Sequence, residues 1–410
     1  MTNEFRRLVE LLNLAVFGRT SEEKTAADME KVCEVALRQG VLPLVFGALD
    51  ADARKTLNPK WEQMFFRAMM KNEQKMAVLS GLAKKLEEEK IPYCILKGCT
   101  VAKDYYLSQC RLSGDIDLYV MPQYEKKTSD LLKSLGFAVE PRAEGNQDFK
   151  ASSPAAGLIE VHVQLYAEVF SNAVLKNQFG ITEEFVDMQI NEFLTVKSLG
   201  SNDMLDFLTT HFIKHFVREG SGIRQVTDLL AFVEKHKNEI DFERYFEKLE
   251  RLKFKKLILN VFGIGVKYFG LDLEDYSFEL EEELMKDIEA GENFGAGEKE
   301  RLEFYQEFLK KRTKADDSDT KRIVRKRKTS SLKAAILPGR KALIKKGYSY
   351  LGKSALLYPV AYAHRVVDIF GALARGKKSL GGTIYGSKKE NKIVNDRLKL
   401  MNDLDIIDEE

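Results

Sequence analysis

Two carboxylates one residue apart offer the clearest chemistry in this chain: Asp115 and Asp117 flank Ile116 in the run Arg111-Leu112-Ser113-Gly114-Asp115-Ile116-Asp117-Leu118-Tyr119-Val120. On a strand, residues at i and i+2 share a face, so both acids can present oxygens to one or two hard cations. Two Mg²⁺ ions about 3.5 to 4 Å apart would clamp the attacking and leaving oxygens of an in-line displacement at phosphorus. A third carboxylate completes such a cage. Glu160 is the leading candidate, because it lies on the polar side of the alternating run Ile159-Glu160-Val161-His162-Val163, whereas Glu140 and Asp148 lie outside such runs. His162 shares the face of Glu160 and is read either as a group orienting the acceptor or a ligand carboxylate, or as a hydrogen-bonded sheet histidine. Asp117 is expected on a cleft-facing surface rather than in a core.

Upstream, Leu96-Lys97-Gly98 closes a short apolar run and opens a helix. Glycine there permits close approach of backbone amides to phosphate oxygens at a helix start. Lys97 and Arg111 can supply charge to those phosphates, a guanidinium binding bidentately, or can serve as surface ion-pair partners. Ser113 and Gly114, just before the first aspartate, are further candidates for holding the phosphates of a nucleotide.

These residues need a sheet to position them. Tyr93-Cys94-Ile95-Leu96 reads as a buried strand, while Ile116, Leu118 and Val120, and likewise Ile159, Val161 and Val163, alternate with polar residues as half-buried strands do. Asn146 to Ala151 fits a further strand and Thr128 to Leu135 a helix stopped by Gly136. The strand-bearing unit is expected to close near Leu165, in a palm bounded at 91–200. Before it, residues 1–90 form an N-terminal helical region, with Leu8, Leu11, Leu12 and Val16 at helical spacing and Phe65, Met69, Met76, Leu79, Leu82 and Leu86 along a long helix. After it, Ser201 caps a second helical domain, 201–312, whose stripe runs through Leu205, Leu208, Phe212 and Phe216. Residues 313–331 read as a polar linker and 332–410 as a basic, mainly helical C-terminal region.

At 410 residues, 44% of them apolar and 31% charged, the chain has a globular composition and room for two or three domains. Overall charge is only +2, yet residues 321–378 carry 16 Lys or Arg against Asp368 alone, which leaves the rest at −13. This segregated charge can dock on the acidic remainder, contact an anionic membrane surface, or meet nucleic acid. Cys33, Cys94, Cys99 and Cys110 form no C-x-x-C pair, as suits a reducing cytoplasm. Arg6, Arg7 and Glu10 break the stretch a signal peptide would occupy, so no export is expected. The run Ala355 to Ala374 includes Pro359, His364, Arg365 and Asp368, which a bilayer-spanning helix would not carry unaided.

The order L-K-G, then R-x-S-G-D-I-D-L, then I-E-V-H resembles the uncharacterised bacterial nucleotidyltransferase-like family of the DNA polymerase β-type superfamily. The resemblance covers about Ile91 to Tyr166 and extends more weakly to Ile223-Arg224-Gln225-Val226-Thr227-Asp228. It implies an α+β fold, a small mixed-sheet palm with helices on one face and helical regions on both sides. It also implies transfer of a nucleoside monophosphate, AMP by preference, from an NTP to an acceptor hydroxyl with two Mg²⁺ ions. By the same likeness Asp115, Asp117 and Glu160 match the metal-binding acids, Gly98 matches the glycine of the phosphate loop, and Arg224 and Asp228, which their spacing alone reads as an intrahelical salt bridge, become acceptor-side residues beside His162. One departure is Cys99, where the superfamily usually has Gly or Ser, leaving Thr100 or Ser113 to contact the triphosphate. The acceptor could be a small molecule, a protein or an RNA end. The competing reading is a binding or scaffold protein with a decayed site.

Two weaker patterns carry less. His211 and His215 have the spacing of zinc ligands on a helix but lack a third ligand in sequence, so packing or acceptor binding is expected. Gly381-Gly-Thr-Ile-Tyr-Gly-Ser-Lys388 is a near miss to a phosphate loop, with Ser and Lys reversed and no preceding strand.

Overall fold

Alternation of apolar and polar residues decides which strands form the centre of this molecule. In the computed structural model, which describes residues 1–21, 24–143, 146–165, 180–218, 220–273, 278–291, 360–361 and 388–406, the chain divides into two units, Met1–Ala296 and Gly297–Glu410. The polar linker, all but two residues of the basic 321–378 stretch and the glycine-rich run up to Ser387 lie outside the described residues.

The first unit begins with helices α1 (Asn3–Phe17), α2 (Met29–Arg38), α3 (Leu42–Ala48), α4 (Ala51–Thr56) and the 30-residue α5 (Pro59–Glu88). Local chemistry sets their ends. Thr2 caps α1 by accepting from the Phe5 N–H, and Asn58 with Pro59 starts α5, proline serving well at a first helical position. Then follow β1 (Tyr93–Ile95), the one-turn α6 (Cys99–Ala102), β2 (Asp115–Val120), α7 (Glu125–Ser134), β3 (Ala138–Glu140), β4 (Asp148–Ser153), β5 (Gly157–His162), β6 (Val186–Asn191) and β7 (Leu194–Ser198). Helices α8 (Ser201–Arg218), α9 (Ile223–His236), α10 (Phe242–Arg251), α11 (Lys255–Phe269) and α12 (Glu281–Gly291) complete the unit. The second unit contributes α13 (Lys388–Asp403). No described helix is long and apolar enough to cross a membrane.

The seven strands form one mixed sheet in the order β3-β4-β5-β2-β1-β7-β6. Strand β2 occupies its middle, parallel to β5 and antiparallel to β1. The sheet does not close near Leu165, as the sequence reading expected. A hairpin of β6 and β7 returns and joins it through the parallel pairing of Ile95 with Ser198. One face is apolar: Ile116, Leu118, Val120, Ile159 and Val161 pack with Leu79, Leu82, Ala83 and Leu86 of α5 and Leu132 of α7. Period-2 alternation therefore sends Asp115, Asp117, Glu160 and His162 to the other face.

His236, the last residue of α9, links these later helices to the segment after α6. Its Nε2 lies 3.3 Å from Asp104 Oδ1 and its Nδ1 3.0 Å from Glu239 Oε2. The hydrogen bond to Asp104 raises the imidazolium above its ordinary pKa, partial burial opposes it, and Glu239 adds to the rise. Burial pushes Asp104 itself upward, an effect that acts in acid. Because the histidine is raised in the folded state, its stabilisation is complete below its ordinary pKa of about 6.5 and is lost as pH rises through the folded value. The urea midpoint should therefore fall as pH rises above about 6.5, and His236→Gln should flatten that fall. An identical slope in the variant would contradict the linkage.

Candidate active site

Parallel pairing of β2 with β5 places Asp117 opposite Glu160 and Tyr119 opposite His162. Asp117 accepts from two directions. Lys97 Nζ donates to Oδ2 at 2.6 Å, and His162 Nε2 lies 3.1 Å from Oδ1. Ligand atoms of Asp117, Glu160 and His162 all lie within 4.8 Å of one another, the one group among the described residues able to hold a metal ion. Asp115 stands outside it, with its Oδ1 3.9 Å from Lys97 Nζ. The third-acid candidates separate clearly by strand. Glu140 pairs with Lys150, and Lys150 with Glu160, so Glu140 is two strands from Glu160, or about 9 to 10 Å. Asp148, across from His162 on β4, is also outside the group.

Asp117 is not on a cleft-facing surface: its side chain is 1% exposed, against 25% for Glu160 and 28% for Asp115. The reason is its position on the middle strand, with Lys97 and His162 against both of its oxygens. Burial opposes its charge, but Lys97 and His162 more than offset this and hold the carboxyl well below the usual range. Burial likewise opposes charge on Lys97, and Asp117 and Asp115 overcome it, raising the ammonium above its ordinary value.

In the loop after β1, Gly98 has φ +80°, and a Cβ there would meet Ser113 Cβ and Oγ at 3.2 Å. Only glycine combines that backbone with that clearance. Ser113 Oγ donates to the Asp115 carbonyl at 2.7 Å and lies 3.2 Å from Asp115 Oδ1, so its hydroxyl orients the first aspartate. Thr100 Oγ1 is buried with no hydrogen-bond partner among the described residues. Burial pushes the Cys99 thiol up to about 12, which leaves it protonated and unsuited to nucleophilic work. Gly114 is exposed beside them.

Arg111 turns away from this loop. Its Nε and Nη2 donate to the two oxygens of Asp228, each at 2.6 Å, and Nη1 donates to the Leu112 carbonyl at 2.8 Å. Tyr105 donates to Asp228 Oδ1 at 2.7 Å. This buried pair fixes α9 to the segment before β2, so Asp228 is held by protein partners. Arg224, one turn earlier, makes no side-chain hydrogen bond or ion pair with any described residue. Burial and then repulsion from Arg111 lower its pKa, while Asp228 and Asp115 oppose that. Lys75 of α5 is a site neighbour the sequence reading missed. It is buried and donates to the Ser113 carbonyl, and burial lowers its pKa against the pull of Asp115 and Asp117. The signal was present: Lys75, Leu79, Leu82 and Leu86 continue one helical stripe at spacings of four and three, so the lysine lies on the buried face. His211 and His215 stack edge-on with centroids 4.6 Å apart and belong to no described three-ligand group. Burial, then Lys97, holds His211 well below its ordinary value.

The two acid-bearing strands are neighbours in one mixed sheet, the kind of sheet that the motif order implied. A family model described as uncharacterised nucleotidyltransferase matches residues 25–270, more than half of the chain. The chain belongs to this family. No curated protein matches it. In this nucleotidyltransferase the matched span ends at Gly270, which caps α11, and so includes β2, β5, the Gly98 loop and the Arg111–Asp228 tie.

Asp117→Asn would leave the largely buried Lys97 ammonium with only the more distant Asp115, 3.9 Å away, as counter-charge. Breaking a buried pair in this way costs about 3 to 5 kcal/mol, whereas Glu160→Gln, partly exposed, should change stability by less than about 1 kcal/mol. Urea unfolding of both variants checks the contrast. Equal stabilities would contradict a buried charge at Asp117.

Proposed function

We propose that the chain is a cytoplasmic, Mg²⁺-dependent enzyme that transfers a nucleoside monophosphate, AMP by preference, from an NTP to an acceptor hydroxyl. The observation that carries this reading is the Asp117, Glu160 and His162 donor set on adjacent parallel strands, in a chain of a nucleotidyltransferase family. The donor set fits a divalent cation: two carboxylates and an imidazole converge, and the accessible Glu160 leaves one side open. Asp117 and Glu160 would hold the ion, with Asp115 beside them and His162 as a ligand or as the group that orients one. A bound divalent ion supplies charge stabilisation at the α-phosphate and a lowered pKa for the acceptor hydroxyl.

The chain's own groups account for the rest. Glu160 accepts the proton as the acceptor oxygen attacks the α-phosphorus, the bond to the β-phosphate breaks, and pyrophosphate leaves. The loop amides around Gly98 face the triphosphate, Lys97 and Arg224 offset its charge, and Thr100 supplies a hydroxyl. Ser113 and Gly114 keep the first aspartate in place. Arg111 acts through Asp228, holding the palm, taken as residues 91–200, against the helices that face the acceptor. Preorganised charge of this kind needs no rearrangement at the moment of reaction.

Calorimetry with Mg²⁺ and each of the four NTPs should show binding at or below millimolar ligand. Glu160→Gln should retain the fold and reduce transfer by at least 100-fold, within the range for loss of a positioned base. Absence of NTP binding, or full transfer by folded Glu160→Gln, would contradict the proposal and favour a non-catalytic binding protein.

A further inference from the structure

The two oxygens of Asp117 serve two different neighbours, and this bears on how many metal ions the site can take. Oδ1 faces His162, with Glu160 across the strand pair, while Oδ2 holds the Lys97 ammonium. That ammonium also lies 3.9 Å from Asp115 Oδ1. It therefore sits between the two aspartates, where the second ion of a two-metal site would bridge them. Its position is built into the sheet: Lys97 follows β1, and the preceding Leu96 N–H donates to the Asp117 carbonyl at 3.0 Å. Mg²⁺ requires oxygens at about 2.0 to 2.1 Å in near-octahedral array, which it cannot obtain from an oxygen and a gap already filled by an ammonium.

We propose that the Lys97 ammonium is a built-in substitute for one of the two metal ions, so that the site binds a single divalent cation through Asp117 Oδ1, Glu160 and His162. The inference rests on the metal-dependent reading above but not on transfer itself. It also gives His162 a direct role as a nitrogen ligand. A donor set of two carboxylates and one imidazole also accepts a first-row ion such as Mn²⁺, which makes Mn²⁺ a usable probe of the site. Lys97 then has two effects: it neutralises the aspartate pair before any ion arrives, and it remains on the nucleotide side as a fixed positive charge.

The test is Mn²⁺ titration of the full chain, followed by electron paramagnetic resonance with no nucleotide present. The wild type should bind one ion per chain, give the six-line signal of an isolated Mn²⁺, and show nitrogen modulation that disappears in His162→Gln. Lys97→Ala should bind a second ion, and two ions about 3.5 to 4 Å apart should give an exchange-coupled spectrum instead. Two ions in the wild type, none in the wild type, or one in a folded Lys97→Ala would each overturn the proposal. Persistence of the nitrogen signal in His162→Gln would overturn the ligand assignment. If Lys97→Ala does not fold, the wild-type count and the nitrogen signal still decide. Two bound ions together with NTP binding would sink this proposal and leave transfer standing, while one ion without NTP binding would do the reverse.

Discussion

The buried negative charge of Asp117 is the constraint around which this nucleotidyltransferase is arranged. A carboxylate removed from water is costly unless charge and hydrogen bonds replace what water supplied. Here Lys97 and His162 supply both. That requirement explains why a lysine must follow β1, why β1 must pair with β2, and why β5 must lie parallel on the other side with His162 two residues beyond Glu160. The catalytic candidate and the structural keystone are thus the same residue.

A second buried pair, Arg111 with Asp228, does for the later helices what Lys97 does for the sheet. Both guanidinium edges are used, by the carboxylate and by the Leu112 carbonyl, so the pair behaves as a joint rather than as a ligand contact. With that joint closed, Arg224 remains on the same helix without a protein partner among the described residues. Lys75 reaches the same region from α5, on the opposite side of the sequence from α9. Positive charge therefore converges on the aspartates from three separate stretches of chain, as a site for a triphosphate would require.

Much of this was legible in sequence because strands write their faces with period two. The runs Ile116-Asp117-Leu118 and Ile159-Glu160-Val161 disclosed both the core side and the acid side, and Gly98 disclosed a backbone that only glycine tolerates beside Ser113. The β6–β7 hairpin was also written, as Val186-Asp187-Met188-Gln189-Ile190-Asn191 and Leu194-Thr195-Val196-Lys197-Ser198 about a two-residue turn, but it lies far from the motif-bearing strands and its first strand is largely exposed. Burial of Asp117 was not legible, because alternation says which face a residue takes and not what covers that face. The Arg111–Asp228 contact spans 117 positions, and no local pattern encodes such a pairing.

If chemistry takes place at the face shared by β2 and β5, a crystal structure with a nonhydrolysable ATP analogue and Mn²⁺ will place the α-phosphate beside Asp117 and Glu160, with the triphosphate running past Lys97 toward the Gly98 loop. A nucleotide bound elsewhere on the chain, with Asp117 still enclosed by Lys97 and His162 and no phosphate near Glu160, would contradict it.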